Sequence, residues 1–157
     1  MPHAYLAHTA DLRASVSGVD LDALYQSAAE LVREILVDGS AVASREERRI
    51  VAAAGDDDAD ADAERFFRFV RELLYLYDCE GFLPARAALA PGGGGRSAGP
   101  AGPAGPAGPA GPAVVVGGER FDPARHTAER QVKAVTRHGY RFARTPAGYE
   151  AELLFDL

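Results

Sequence analysis

The chain has 157 residues, 47% of them apolar, and a formal charge of −6 from 23 acidic and 17 basic side chains. That length suits one compact domain and is short for two, and the apolar fraction supports a core, which excludes wholesale disorder. A protein that neutralises phosphates by itself carries a basic face, so this balance argues against tight direct binding of nucleic acid and for a basic protein partner or a cation.

Cys79 is the only cysteine, which excludes an internal disulfide and a cysteine-built zinc site. Met1 to Tyr5 lack the charged-then-apolar layout of a signal peptide, and no apolar stretch approaches a membrane span. The expected location is the cytoplasm, with no membrane partner.

Tyr5 to Ser17 read as extended. Leu12, Ala14 and Val16 alternate with Arg13, Ser15 and Ser17, the two-residue period of a half-buried strand, and Gly18 is expected to break it. Asp20 has the place of a helix N-cap, with Asp22 at the positive end of the dipole. Leu21, Leu24, Tyr25, Ala28, Leu31, Val32, Ile35 and Leu36 then follow the spacing of one helical face, and Asp38-Gly39 is its expected end. Glu46 to Ala54 reads as a strand.

The acidic run Asp56 to Asp62 invites a calcium-loop reading. A loop starting at Asp58 needs glycine sixth and glutamate twelfth, and it has Ala63 and Phe69, so a solvated, helix-capping acid cluster is the better reading. A second amphipathic helix follows, with Phe66, Phe67, Val70, Leu73, Leu74 and Tyr77 inward and Arg65, Arg68, Arg71 and Glu72 outward. Cys79 is expected to be a buried thiol at its end rather than a nucleophile. A strand covers Phe82 to Leu89.

Four glycines, Gly92 to Gly95, and five Gly-Pro-Ala triplets, Gly99 to Ala113, come next. Proline at every third position forbids helix and sheet ladders, so a flexible insertion at about 91–113 is expected within a single domain of residues 1–157. Val114 to Val116, Arg130 to Thr136, Tyr140 to Ala143 and Tyr149 to Phe155 read as strands, and Thr145-Pro146-Ala147-Gly148 as a hairpin turn. The fold class is α+β, two amphipathic helices packed on antiparallel or mixed sheet.

No HExxH helix, GxSxG elbow or P-loop lysine is present, so no catalytic constellation is evident. Asp11 stands in a strand of small and apolar residues, and Asp156 stands beside Leu157, the last residue. If the first and last strands are neighbours, these groups gather hard oxygen donors suited to Ca²⁺, Mg²⁺ or Mn²⁺. The bland alternative is a solvated Asp156 and a hydrogen-bonded Asp11.

Four blocks of the chain resemble the archease family. They are His8-Thr9-Ala10-Asp11-Leu12, the segment from Glu72 through Tyr77-Asp78-Cys79-Glu80-Gly81 to Phe82, Arg125-His126 with Gln131 to His138, and the ending Phe155-Asp156-Leu157. Gln131 and Arg137 depart from the glutamate and tyrosine usual there, and the Gly-Pro-Ala insertion is foreign to the pattern. The resemblance implies a non-enzymatic protein cofactor of the RNA-splicing ligase, which joins 3′-phosphate or cyclic-phosphate ends to 5′-hydroxyl ends in tRNA splicing and RNA repair. It implies promotion of that ligase's guanylylation and repeated turnover. It further implies a divalent cation, with Ca²⁺ foremost, on Asp11, Asp156 and Leu157, and a functional surface at Lys133 and His138. A stand-alone metal-dependent hydrolase and a general chaperone or interaction module are the alternatives.

Overall fold

The computed structural model describes residues 11–37, 41–51, 59–90 and 113–157. Its elements run β1 (Asp11–Gly18), α1 (Leu21–Leu36), β2 (Glu46–Val51), α2 (Ala59–Glu80), β3 (Phe82–Leu89), β4 (Ala113–Arg120), β5 (Ala134–Thr145) and β6 (Gly148–Asp156). The strands form two three-stranded sheets, β1-β6-β5 and β2-β4-β3, with every pairing antiparallel. The α+β expectation of two helices on antiparallel sheet holds.

Helix α1 starts as its sequence requires. The Asp20 side chain accepts from the Ala23 N–H at 2.8 Å, satisfying an otherwise orphaned donor. Leu24, Tyr25, Ala28, Ala29, Val32, Ile35 and Leu36 are buried along one face. The Asp38-Gly39 terminus expected for this helix lies outside the described residues.

Helix α1 also covers an open sheet edge. Strand β3 is the rim of its sheet, and its outward Leu89 and Ala87 N–H groups donate to Asp22 at 2.7 Å and to Gln26 at 2.8 Å. These acceptors, one helical turn apart, take the place of a missing neighbouring strand. On its other side α1 meets β1, where Ser27 Oγ donates to the Ser17 carbonyl at 2.9 Å. Gly18 belongs to β1 instead of interrupting it. A Cβ there would sit 2.4 Å from the Leu24 nitrogen, so glycine lets strand and helix touch.

The inner faces of both sheets and of both helices share one core that includes Val16, Phe66, Phe69, Phe82, Val116 and Phe155. Tyr25 joins the helices by edge-to-face contacts with Phe66 and Phe69, at 5.4 and 4.8 Å. Phe69 and Leu76 are buried too, so the apolar face of α2 is wider than its periodicity indicated. Arg65, expected outside, is largely buried and ion-paired to Asp62 at 3.4 Å. Cys79 corrects the expectation in the other sense. It is exposed, because the last turn of α2 carries it past the packed face.

Two expected strands, Arg130 to Thr136 and Tyr140 to Ala143, are one strand, β5, whose register slips between Thr136 and Arg141. That bulge admits Gly139 at φ +75°, and residues 130–133 precede the strand. The hairpin turn at 145–148 is as expected.

At the far end of the other sheet, Leu89 pairs with Val114, and the Ala90 N–H donates to the Ala113 carbonyl at 2.8 Å. The chain therefore leaves and re-enters this hairpin through neighbouring backbone groups. Replacing residues 91–112 with a short turn is expected to keep the fold and to raise stability by up to about 2 kcal/mol, from roughly three halvings of loop length. Urea denaturation of the shortened chain checks this, and a loss of stability would show that the segment packs on the domain.

Candidate functional site

Strand β6 decides which way the aspartates face. Ala151, Leu153 and Phe155 are buried, so the alternate residues Glu150, Glu152, Leu154 and Asp156 stand on the opposite, solvent-facing side. Strand β1 pairs with it so that Asp11 lies directly across from Asp156 and Leu12 across from Phe155. Residues opposite each other in an antiparallel pair point to the same face with Cβ atoms about 4.5–5.5 Å apart. The two carboxylates therefore share one end of one outer sheet face.

The other residues expected at this end divide between near and far. Lys133 is exposed, and its backbone N–H donates to the Asp156 carbonyl at 2.8 Å, so it abuts the aspartate pair. Ala134 stands across from Asp156 on its other side. Leu157 is half-buried and packs against the core. His138 is exposed in the β5 bulge, its N–H bonded to Thr136 Oγ1 at 3.1 Å, four residues beyond Ala134. It is not brought beside the pair. His8 and Thr9 lie outside the described residues.

Among the described residues, no group of three or more His, Cys, Asp or Glu side chains gathers as a metal centre. The donors that Asp11, Asp156 and Leu157 can offer are all oxygens, which suits hard divalent cations and no soft metal. With only two side-chain carboxylates, much of an ion's coordination would fall to water or to groups from outside the chain.

The segment leading to Lys133 is held by a buried cluster that the sequence reading missed. Glu119, only 3% exposed, emerges from β4 and accepts from the Ala43 N–H at 2.6 Å and from the Arg125 guanidinium. Arg45 Nε approaches the same carboxylate at 3.5 Å. His126, 2% exposed, accepts the Asp122 N–H on Nδ1 at 2.8 Å, so the neutral ring carries its proton on Nε2, which lies 3.3 Å from Glu119. Two further ties, Glu129 N–H to the Leu36 carbonyl at 2.9 Å and the bridge Val37 to Ala128, fasten this segment to the end of α1. Arg125-His126 stood out in the sequence only through the family resemblance, and Glu119 only as a glutamate after Val-Val-Val-Gly-Gly.

Arg137 has an equally definite structural place. Its guanidinium meets both oxygens of Glu64 at 2.7 Å and lies over the Phe67 ring, 4.3 Å from the centroid. Arg137, with help from Arg68, draws the Glu64 carboxyl down to about 2. The pair ties the β5 bulge to α2, and Tyr140 reinforces it by donating to the Ala63 carbonyl at 2.7 Å.

A model described as the Archease protein family (MTH1598/TM1083) matches residues 3–157. The chain belongs to the archease family. Its relatives include the protein archease of Archaeoglobus fulgidus, 26% identical over 159 residues with all of both chains covered. Another is the protein archease of Methanosarcina mazei, 21% identical over 155 residues with 99% of this chain and 95% of that one covered. Among solved structures, protein 1598 of Methanobacterium thermoautotrophicum superposes with a TM-score of 0.62 at 22% identity, covering 97% of this chain and 96% of that one. A Thermotoga maritima structure described as an archease and possible chaperone gives 0.58 at 16% identity, covering 100% and 98%. These likenesses establish an archease fold for the two sheets and two helices.

Hydrogen bonds from Arg125 outweigh burial and hold the Glu119 carboxyl down at about 2, against an ordinary value of 4.5. A depressed carboxyl stabilises the fold above its unfolded value, and that stability is lost as pH falls from about 4.5 toward 2. Glu119→Gln is expected to cost roughly 1–3 kcal/mol at pH 7 and to flatten the decline in stability over that acid range, as read by urea denaturation at several pH values. A variant as acid-labile as the parent would remove Glu119 from this role.

Proposed function

We propose that this archease-family chain is an accessory protein for the RNA-splicing ligase, acting through the end of the β1-β6-β5 sheet that carries Asp11 and Asp156. The observation that carries the reading is the register pairing these two residues. Like charges directly opposite each other in a sheet are unfavourable, so the pairing offers nothing to stability alone and makes sense as a receptor for positive charge. Net charge supports the same view, since a chain at −6 is poorly made to hold RNA and well made to meet a basic protein pocket.

On this reading Asp11, Asp156 and Leu157 hold a divalent cation, Ca²⁺ foremost with Mg²⁺ or Mn²⁺ possible on the same oxygen donors. A cation held there would supply Lewis-acid stabilisation of phosphate oxygens at the ligase's reaction centre. The chain's own contribution is placement. Strand register presents the carboxylates together, and the backbone bond to Asp156 keeps Lys133 beside them, where its ammonium can meet a phosphate or steady the pair. The chain makes and breaks no bond itself; it promotes the ligase's guanylylation and repeated turnover in tRNA splicing or RNA repair. Among the described residues no helix is long and apolar enough to cross a membrane, and we place the action in the cytoplasm.

Asp11→Asn and Asp156→Asn are expected to fold normally and to lose activation of a stalled ligase by about 100-fold or more, the scale of removing a charge-stabilising ion. Calcium should raise the melting temperature of the parent and not of either variant, since saturation at 100 times Kd stabilises by about 2.7 kcal/mol. RNA cleavage by the chain alone, abolished by Asp11→Asn, would replace this reading with a metal-dependent hydrolase. Protection of unrelated clients, indifferent to both aspartates, would replace it with a general chaperone.

A further inference from the structure

The helices cover one side of the β1-β6-β5 sheet and leave the other open. Four cross-strand rows lie on that open side. The first is Asp11, Asp156 and Ala134; the second is Arg13, Leu154 and Thr136; the third is Ser15, Glu152 and Arg141; the fourth is Ser17, Glu150 and Ala143. The third and fourth rows enclose a groove of about 390 Å³. Its depth follows from composition, because the serines and the alanine stop short while the glutamates and arginine project.

The two glutamates differ in what surrounds them. Glu152 has a weak, exposed pairing with Arg141 Nε at 3.7 Å. Glu150 stands between Ser17 and Ala143 and has no ion pair among the described residues. A second depression shares Ser17 and Glu150 and continues past Tyr149 to Val19. Val19 is 78% exposed, more than any other large apolar side chain described. Acceptors followed by an apolar shelf match the two parts of a long cationic side chain and its neighbour, a charged head and an aliphatic stem. The groove also lies on the same face as the aspartate end, with Glu152 about 13 Å and Glu150 about 20 Å along the strand from Asp156, at about 3.3 Å per residue.

We propose that this groove docks an extended segment of the protein partner, with a lysine or arginine head on Glu150 and an apolar side chain on Val19. The proposal rests on the reading of the aspartate end given above, and it adds where the partner is gripped apart from where it is activated. The glutamates repel phosphate, so RNA is a poor occupant of this face.

Titrating purified RNA-splicing ligase with the full chain tests it, following Kd separately from maximal turnover. Glu150→Lys is expected to weaken Kd tenfold or more and Val19→Ser several-fold, with the turnover plateau regained at saturating concentration. Glu150→Gln serves as the milder version should the reversal disturb folding, and it should weaken Kd less and reduce its salt dependence. Asp11→Asn should do the opposite, lowering the plateau with little change in Kd. Normal binding by the parent together with an unchanged Kd for both Glu150 variants and for Val19→Ser would overturn the groove and leave the ligase reading standing. Absence of both binding and activation by the parent would overturn both. An RNA oligonucleotide bound by the chain alone and released by Arg141→Ala would assign the face to RNA and overturn the groove as well.

Discussion

Everything at the candidate site depends on three side chains that face away from it, into the core. Ala151, Leu153 and Phe155 bury one face of β6, and the strand's two-residue period then obliges Asp156 to face water. A slip of one residue against β1 would put Asp156 into the core and Phe155 into solvent, a cost far above anything the aspartate pair could recover. The hydrophobic core therefore acts as the ruler that sets Asp11 opposite Asp156. This separates stability from function. The aspartates can be chemically awkward neighbours because their placement is enforced elsewhere.

Helix α1 is the second organising constraint. It lies between β1 of one sheet and β3 of the other, and it bonds to both by side chains rather than by packing alone. The same helix anchors the segment approaching β5 through the Leu36 carbonyl and the Val37 bridge. Lys133 reaches Asp156 at the end of a path fastened first by Glu119, Arg125 and His126 and then by α1. The position of Lys133 at the aspartate end is thus inherited from contacts well inside the fold.

Much of this was legible in the sequence where the physics is local. Asp20 capping α1, the helical spacing from Leu21 to Leu36, the strand Phe82–Leu89 and the turn before Gly148 all follow from near neighbours along the chain. The pairing of Asp11 with Asp156 was anticipated only on the condition that distant strands meet, and the sheet meets that condition. What escaped reading is non-local. The β5 bulge depends on Arg137 and Tyr140 finding Glu64 and Ala63 on α2, and Glu119 looks like an ordinary strand-end acid until Arg125 and His126 fold over it. Exposure of Cys79 has the same origin, since the direction of the last turn of α2 is set by what the helix packs against.

The acceptors that Asp22 and Gln26 lend to β3 have an effect on how the molecule meets copies of itself. With two outward N–H groups of β3 taken by α1 side chains, strand β2 is the rim of the β2-β4-β3 sheet that lacks such cover among the described residues, and it carries Glu47, Arg48 and Arg49. Strand addition to that sheet is therefore steered toward β2, and two copies joined there would present α1 side chains, not bare β3 N–H groups at Ala87 and Leu89, on the remaining rims.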